Sequence, residues 1–318
     1  MEFRRVGESG LEVSVVGVGC NQFGGRVDAA GVARIVHAAL DAGVTLFDTA
    51  DIYTRGESER LLGAALRGRR DEAIVATKVG GQMGEGPYTS GASRRHIRAA
   101  VEASLSRLGT EWIDLYQVHF PDPGTPIEET LMTLDDLVRE GKVRYIGCSN
   151  FAGWQIAEAD WTAYHHRLNR FVSAQNEYSL LERRAEAEVV PAAEHFGLGI
   201  IPYNPLAKGL LTGRYRRGEA APEGGRLAGP QGDELLSDAN FDIVESLSAF
   251  ARRKGTDLLG VAIGGLAAQP GVVSVIAGAS QPEQVLANVA AAEWQPTPED
   301  LAELDGITPS PRPAGEED

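Results

Sequence analysis

Short runs rich in β-branched residues alternate along this chain with longer stretches of helical period. Eight runs have the composition of buried strands, and they begin at Val13, Thr45, Ala73, Ile113, Val143, Arg170, Leu198 and Val272. Helical stretches lie between them, and the clearest cover residues 29–41, 57–66, 93–108, 127–140, 155–167 and 183–195. Repeated βα units of this kind build a parallel sheet covered by helices. The pattern therefore predicts an α/β fold.

Eight strand–helix units predict a closed (β/α)8 barrel, or TIM barrel, rather than an open doubly wound sheet. An open dinucleotide-binding sheet would carry G-x-G-x-x-G after its first strand, and GVGCNQFGG after Val16 lacks that spacing. Before the barrel, EFRRV and EVSVV flank a turn at ESGL, which predicts a β-hairpin that plugs the bottom of the barrel. We expect one domain over residues 1–306 and a disordered, Pro-rich acidic tail over residues 307–318.

The net charge and the number of cysteines argue against several classes of protein function. The chain has 318 residues, and 45 acidic against 30 basic residues give a formal charge of −15, which disfavours a nucleic-acid partner. Only two cysteines are present, Cys20 and Cys148, too few for a disulfide framework or a thiolate metal site. We interpret both as packing residues, with redox sensing as the alternative. No signal peptide or membrane-spanning run is evident, so we expect a cytoplasmic protein without a membrane partner or a metal.

Four polar residues follow three successive predicted strands. Asp48 and Tyr53 lie in LFDTADIYTRGESE, Lys78 ends AIVATKV, and His119 follows IDLYQV. Because catalytic groups of such barrels gather at the carboxyl ends of the strands, we expect these side chains to share one site. A charge roughly 4 Å from Tyr53 at an effective dielectric near 20 is worth about 4 kcal/mol, or about three pKa units. Lys78 is therefore expected to lower the pKa of Tyr53 from about 10 towards neutrality.

The segment after the seventh strand is unusually long. It reads AKGLLTGRYRRGEAAPEGGRLAGPQGDE and is rich in Gly, Pro and Arg. Connections of this length in a compact domain are commonly functional or mobile. We therefore expect this segment to take part in binding.

Taken together, these segments resemble the aldo-keto reductase family over nearly the whole chain. The motifs that carry the resemblance are GLEVSVVGVGCNQFGG, FDTADIYTRGESERLLGAAL, ATKVG, DLYQVHFPDP, TPIEETLMTLDDLVREGKVRYIGCSNF, AQNEYSLL, NPLAKGLLTGRY and GASQPEQVLAN. PIEETL, RYIGCSNF, NPLAKGLLTGRY and GASQPEQ are most similar to bacterial members related to potassium-channel β subunits. The resemblance implies NADPH-dependent, reversible reduction of a small aldehyde or ketone, with the nicotinamide across the barrel mouth.

The resemblance also implies a catalytic tetrad. Tyr53 would protonate the carbonyl oxygen, Lys78 would stabilise the resulting phenolate, and Asp48 would hold Lys78 in place. His119 would donate a hydrogen bond to the carbonyl oxygen. The rings of Phe23, Tyr88 and Phe120 follow strand ends or lie in their loops, and we predict that they wall the substrate pocket.

The expected cofactor contacts form three groups. Ser149, Asn150 and Gln175 would bind the carboxamide of the nicotinamide, and Tyr203 would stack on its ring. The edge of the ring would lie near Gly19, Cys20 and Asn21. The pyrophosphate would be wrapped by the loop after Tyr203 through the backbone N–H groups of Leu206 and Gly209, with Arg214 nearby as a cation, and Asn204 and Pro205 of the same loop would also contact the cofactor. The adenosine end would contact Gly278, Ser280, Gln284 and Asn288.

The adenosine segment departs from part of the family pattern. Many relatives carry a basic residue there for the 2′-phosphate, and some carry an acidic residue where Ala287 stands, whereas this chain has neither. Ala277 also replaces the usual proline. Because members similar to the β subunits have a comparable Ser and Gln pattern, we expect NADPH rather than NADH, with Arg214 and Arg226 supplying the missing charge.

Two other functions stay open at this stage. One is a non-catalytic module that binds NADP(H) and reports redox state to a partner protein, as a channel β subunit does. The other is a lyase that uses Lys78 as a Schiff-base nucleophile. Asp48 argues against the lyase, because a paired lysine stays protonated. The physiological substrate and the oligomeric state do not follow from the sequence.

Overall fold

Ten strands occur in the part of the chain that the computed structural model describes, which comprises residues 1–222, 225–228, 232 and 234–311. Two short strands, β1 (Phe3–Arg5) and β2 (Glu12–Ser14), pair antiparallel as a hairpin. The other strands are β3 (Val16–Gly19), β4 (Leu46–Asp48), β5 (Ile74–Val79), β6 (Ile113–Val118), β7 (Val143–Ser149), β8 (Ser173–Gln175), β9 (Gly199–Ile200) and β10 (Val275–Gly278). The predicted hairpin and the eight predicted strands are thereby confirmed.

The eight remaining strands form one parallel sheet that closes on itself. Their order is β10-β3-β4-β5-β6-β7-β8-β9, so neighbours in sequence are neighbours in space. The backbone N–H of Val273 donates to the carbonyl of Ile200 at 2.9 Å, and that of Ile276 donates to the carbonyl of Pro202 at 3.1 Å. These bonds join the last strand segment to the β9 segment. The (β/α)8 barrel predicted from the alternation is confirmed.

Helices follow the barrel strands. They are α1 (Ala29–Asp41), α2 (Glu57–Ala65), α3 (Arg94–Leu108), α4 (Ile127–Arg139), α5 (Gly153–His166), α6 (Ala185–Phe196), α7 (Asp238–Arg253), α8 (Leu258–Ala267), α9 (Pro282–Ala291) and α10 (Pro298–Ile307). The Ser93 hydroxyl caps α3 by accepting from the N–H of His96, and Gly109 ends it at φ 64°. Such end signals explain why the first six helices lie close to their predicted bounds.

The hairpin closes the amino-terminal end of the barrel. Its side chains Val6, Leu11 and Val13 belong to one buried cluster with Leu46 and Leu115 of the barrel strands. A larger cluster fills the space between the sheet and the helices. Because the bottom is filled with apolar side chains, the cavity of the barrel lies at its carboxyl end.

The carboxyl-terminal segment packs against the barrel. Helix α10 ends at Ile307, and Thr308 is buried with its carbonyl accepting from the guanidinium of Arg183. The hydroxyl of Ser310 donates to Glu186. The packed part of the chain therefore passes residue 306, and the remainder of the predicted tail, residues 312–318, lies outside the described residues. No helix in the described ranges is long and apolar enough to cross a membrane.

Candidate active site

A cavity of about 950 Å³ opens at the carboxyl ends of the barrel strands. Residues that end β3, β4, β7, β8 and β10 line it, among them Gly19, Asp48, Ser149, Gln175 and Gly278. Its size is that of a pocket for a cofactor or another small molecule. The cavity therefore opens at the end of the barrel where the sequence predicts a site.

Lys78 is the centre of a buried cluster of polar side chains at the base of this cavity. Its ammonium group contacts Asp48 Oδ2 at 2.6 Å and donates to the carbonyl of Thr49 at 2.9 Å. It also donates to the Tyr53 hydroxyl at 3.3 Å. Burial lowers the pKa of Lys78, but Asp48 and Tyr53 outweigh burial and leave this pKa raised. The lysine is therefore a cation paired with Asp48.

Two buried glutamines hold the other oxygen of Asp48. The amide nitrogen of Gln175 donates to Asp48 Oδ1 at 2.8 Å, and that of Gln117 donates to the same atom at 3.3 Å. Gln117 was not predicted as a site residue, although it directly precedes the last residue of a strand that is otherwise largely apolar. Its register partner on β5 is Lys78, so both side chains lie on the inner face of the barrel. A polar residue at an inward strand position is the signal that would have identified it.

Tyr53 lies in a tight turn between β4 and α2. Its N–H donates to the carbonyl of Ala50, and the following residues Thr54 and Arg55 have positive φ angles of 48° and 55°. The Thr54 hydroxyl donates to the carbonyl of Phe23 at 2.7 Å and holds this turn against the loop after β3. Positive φ in two successive non-glycine residues carries strain, which the surrounding contacts offset.

The pKa of Tyr53 is raised above 10, and our expectation of a lowered value is wrong. Burial of the phenol raises this pKa most. The Lys78 charge lowers it, but the charge of Asp48 raises it again and offsets part of the effect of Lys78. Lys78 alone would lower this pKa, but the desolvation of the phenolate and the charge of Asp48 act in the opposite direction. Tyr53 therefore keeps its proton at neutral pH.

His119 lies beside Tyr53 and is neutral. Its pKa is lowered to about 3, first by burial and then by the Lys78 charge. The imidazole stacks on Phe120 with ring centroids 4.4 Å apart, and its edge meets the Tyr53 ring at 6.0 Å. Its Nδ1 atom is buried and has no hydrogen-bond partner in the described part of the chain. A neutral imidazole keeps one N–H with which to donate a hydrogen bond.

The predicted cofactor residues converge on the cavity, with one exception. Those that line it are Gly19, Asn21, Ser149, Asn150, Gln175, Tyr203, Asn204, Pro205, Leu206, Gly209, Arg214, Gly278, Ser280, Gln284 and Asn288. Some already contact each other, since the Tyr203 hydroxyl donates to Asn150 Oδ1 at 2.9 Å and the Asn150 amide donates to the His119 carbonyl. The exception is the Cys20 side chain, which is fully buried in the core beneath the cavity floor.

Four basic side chains line the same cavity. They are Arg26, Lys208, Arg214 and Arg226. Arg26 and Lys208 were not predicted. Burial, followed by the nearby charge of Arg26, lowers the pKa of Arg226. A concentration of cations in a chain of charge −15 makes the electrostatic potential of this region favourable to an anionic group.

Of the three predicted pocket walls, only Phe120 lines the cavity. Phe23 is fully buried in the main core cluster, because the loop after β3 turns its ring towards the helices. Tyr88 is exposed and has the guanidinium of Arg95 over its ring at 4.4 Å. Burial raises the pKa of both cysteine thiols, Cys20 and Cys148, which accords with packing roles. Within the described residues, no group of three possible metal ligands occurs.

Comparison with known proteins identifies the family of the chain. The sequence model described as "Aldo/keto reductase family" matches residues 15–309. The chain is 37% identical to an uncharacterized oxidoreductase, YrpG, of Bacillus subtilis, covering 98% of this chain and 97% of that protein. It is 35% identical to a probable voltage-gated potassium channel subunit beta of Oryza sativa, over 98% and 97% of the two chains. It is 33% identical to the L-glyceraldehyde 3-phosphate reductase of Escherichia coli O157:H7, over 96% and 92%. The chain belongs to the aldo/keto reductase family.

Proposed function

We propose that this chain reduces an aldehyde or ketone to an alcohol, reversibly, with a hydride from NADPH and a proton from Tyr53. The observation that carries the proposal is the contact of the Lys78 ammonium with both Asp48 and the Tyr53 hydroxyl at the base of a cavity. An ammonium group at this position stabilises a phenolate that forms when the phenol gives up its proton.

The residues around the cavity fit a dinucleotide phosphate cofactor. Amide and hydroxyl groups of Ser149, Asn150 and Tyr203 lie near the catalytic cluster and suit a carboxamide. The four basic side chains Arg26, Lys208, Arg214 and Arg226 suit phosphate groups. When bound, NADPH supplies the hydride that reduces the carbonyl carbon. We expect NADPH over NADH because the cations exceed what a pyrophosphate alone requires.

The protein's own groups account for the proton. In the proposed reaction the carbonyl oxygen gains the Tyr53 proton while the carbonyl carbon gains the hydride, so the product is a neutral alcohol. The charge of Lys78 stabilises the Tyr53 phenolate until the phenolate takes a proton back from solvent. His119, neutral and hydrogen-bonding, orients the carbonyl oxygen and shares its developing charge.

The direct test follows NADPH absorbance in the presence of an activated aromatic aldehyde. Wild-type protein should consume NADPH, and Tyr53→Phe should lose reduction by about 1,000-fold or more because the acid is absent. Fluorescence titration should show that the variant still binds NADPH within about twofold. Tyr88→Phe is the matched control, since Tyr88 is exposed and does not line the cavity. Near-normal turnover by Tyr53→Phe would refute the acid assignment.

Cofactor preference has its own test. Arg226→Ala should weaken NADPH binding about tenfold or more and NADH binding less, because a cation near the 2′-phosphate discriminates between them. Arg216→Ala is the control from the same loop, because the Arg216 side chain is 75% exposed and reaches Glu219 instead. Equal losses for both cofactors would place Arg226 at the shared pyrophosphate.

The two alternative functions differ from the reductase in measurable ways. A redox-reporting module would bind NADPH tightly but turn over slowly. With every aldehyde or ketone offered, its kcat should be less than about one per minute, which is roughly a thousandfold below a typical enzyme. A Schiff-base lyase requires a neutral amine, whereas the pKa of Lys78 is raised. Trapping with borohydride should therefore leave Lys78 unmodified.

A further inference from the structure

Helix α5 has an aromatic outer face whose side chains are largely exposed in the described part of the chain. Ile156, Ala159 and Ala163 form its buried side. Trp154 and Trp161 are two helical turns apart, so they lie together on the opposite side, and they are 62% and 63% exposed. A surface helix ordinarily carries polar residues on that side. The exposure of the two tryptophans therefore indicates a surface that binds a partner.

Tyr164 extends this aromatic face. It is 69% exposed, and its ring meets the Trp161 ring edge to face with centroids 5.9 Å apart. Trp154, Trp161 and Tyr164 account for three of the eight large apolar side chains that are exposed in the described ranges. Tryptophan and tyrosine are the residues that most often dominate the binding energy of protein interfaces. Their concentration on one helix marks an interface.

Charges around the aromatic face make it complementary to itself. Glu158 lies one turn after Trp154, and His165 lies one turn after Trp161, so the same face has an acidic first half and a basic second half. Arg167 follows at the end of the helix and is exposed. If two copies of α5 meet antiparallel about a twofold axis beside Trp161, Glu158 of each copy faces His165 of the other. Antiparallel helices also oppose their dipoles favourably.

The available area matches the need of a modest dimer. Aromatic side chains bury about 150–250 Å² each, so three at about two-thirds exposure contribute roughly 300–500 Å² per copy. The aromatic side chains of two copies would therefore bury roughly 600–1,000 Å². The surrounding side chains add to this area; they are Gln155, Glu158, His165 and Arg167. The total buried area is then near 1,200 Å², roughly the lower bound of specific interfaces, which suits a reversible dimer. We propose that this α5 face binds the α5 face of a second copy of the chain in a twofold, antiparallel pair.

Sedimentation velocity over about 1–100 µM protein tests the pair, a range that spans the expected dissociation constants. Wild type should shift from monomer to dimer. Trp161→Gln should weaken the dimer by about 30-fold, as loss of a central aromatic does, and Trp154→Gln should weaken it less, because Trp154 lies two helical turns from the proposed axis. Leu286→Gln, a 50% exposed position on α9, is the control and should leave the dimer unchanged. Unaltered circular dichroism of each variant shows that it folds.

Charge reversal separates self-pairing from binding of any other protein. His165→Glu should weaken the homodimer because it places like charges opposite one another, and Glu158→Lys should weaken it because it removes the carboxylate that faces His165. Mixed together, the two variants should form a heterodimer. The introduced lysine of one copy then faces the introduced glutamate of the other, and the native pair of His165 and Glu158 is kept at the symmetry-related contact.

Three outcomes overturn the proposal. The first is a wild type that stays monomeric throughout the concentration range. The second is a dimer that survives both tryptophan substitutions, which would place the interface elsewhere on the chain. The third is a mixture of the two charge variants that forms no heterodimer, which would contradict the antiparallel register.

Discussion

Asp51 is a buried carboxyl group that the proposed chemistry does not use, and its titration should be visible in the stability of the protein. The side chain is 1% exposed, and neither carboxyl oxygen has a hydrogen-bond partner of normal geometry in the described part of the chain. Burial, followed by the charge of Glu59, raises the pKa of Asp51 from 3.8 to about 7. Glu59 is itself buried and is held by Arg107 and by the Thr77 hydroxyl.

The sign follows from proton binding. In the unfolded chain Asp51 loses its proton near pH 3.8, and in the folded chain it keeps the proton until about pH 7. Between these values the folded chain binds more protons, so the free energy of unfolding falls as pH rises. A shift of about three pKa units corresponds to about 4 kcal/mol in the free energy of unfolding. The folded protein loses this stabilisation as pH rises, and the loss is complete only above pH 7.

Asp51→Asn removes this titration while keeping a side chain of similar size. Relative to wild type, the free energy of unfolding of the variant should increase by about 3 kcal/mol between pH 5 and pH 8, because only wild type is penalised by ionisation. Urea denaturation at about pH 5, 6, 7 and 8 measures the difference. Comparing the two proteins at each pH cancels the titrating groups that do not interact with Asp51.

Asp122→Asn is the control of opposite sign. Burial disfavours the charge of Asp122, but hydrogen bonds from the N–H of Ala92, the Thr125 hydroxyl and the N–H of Gly124 outweigh it and lower the pKa. Stability from this group is present above its unfolded pKa, so Asp122→Asn should be destabilised by an amount that is constant from about pH 5 to pH 8. A pH-independent difference for Asp51→Asn over the same range would refute the reasoning.

Three further predictions concern the catalytic cluster. Lys78→Met should destabilise the protein by about 3–5 kcal/mol in urea denaturation because it leaves Asp48 buried without its cation, and adding Asp48→Asn should restore part of the loss. The pH profile of kcat should show no limb near pH 6.5 from His119, since its pKa is about 3, and His119→Asn should lower kcat about 100-fold without changing the shape of that profile. Gln117→Leu should cost about 1 kcal/mol and reduce kcat more than it changes KM, because Asp48 loses a donor that positions it; equal effects on both constants would contradict this role.

The fold was predictable because its signals are local and agree with one another. Each signal acts over a few residues, as the strand and helix periods, the Ser93 cap and the Gly109 stop show. Eight consistent strand–helix units then leave few topologies that the chain can adopt. The tail boundary was not predictable in the same way. Ser310 docks on Glu186, and Thr308 docks on Arg183, so the order of that segment depends on partners about 125 residues away.

The candidate site was predictable in its position and less so in its environment. Strand ends bring Asp48, Lys78 and His119 together in any barrel of this topology. The direction of a loop side chain has no such rule, which is why Phe23 was expected in the pocket and lies in the core. Gln117 was overlooked because a single amide within an apolar strand has no motif, although its inward register could have identified it.

The raised pKa of Tyr53 makes the proposed acid role more specific. A phenol of lowered pKa would serve either as acid or as base at neutral pH, whereas a protonated Tyr53 has a proton to give and needs alkaline solution to accept one. Lys78 then acts mainly on the phenolate that forms during reduction, since burial otherwise makes that anion unfavourable. Reduction should therefore keep its rate up to about pH 10, because Tyr53 stays protonated there, while oxidation of the alcohol should accelerate as pH rises. Measuring both directions of one substrate pair from about pH 6 to pH 10 tests this, because parallel pH profiles for reduction and oxidation would contradict a single phenol as the proton carrier.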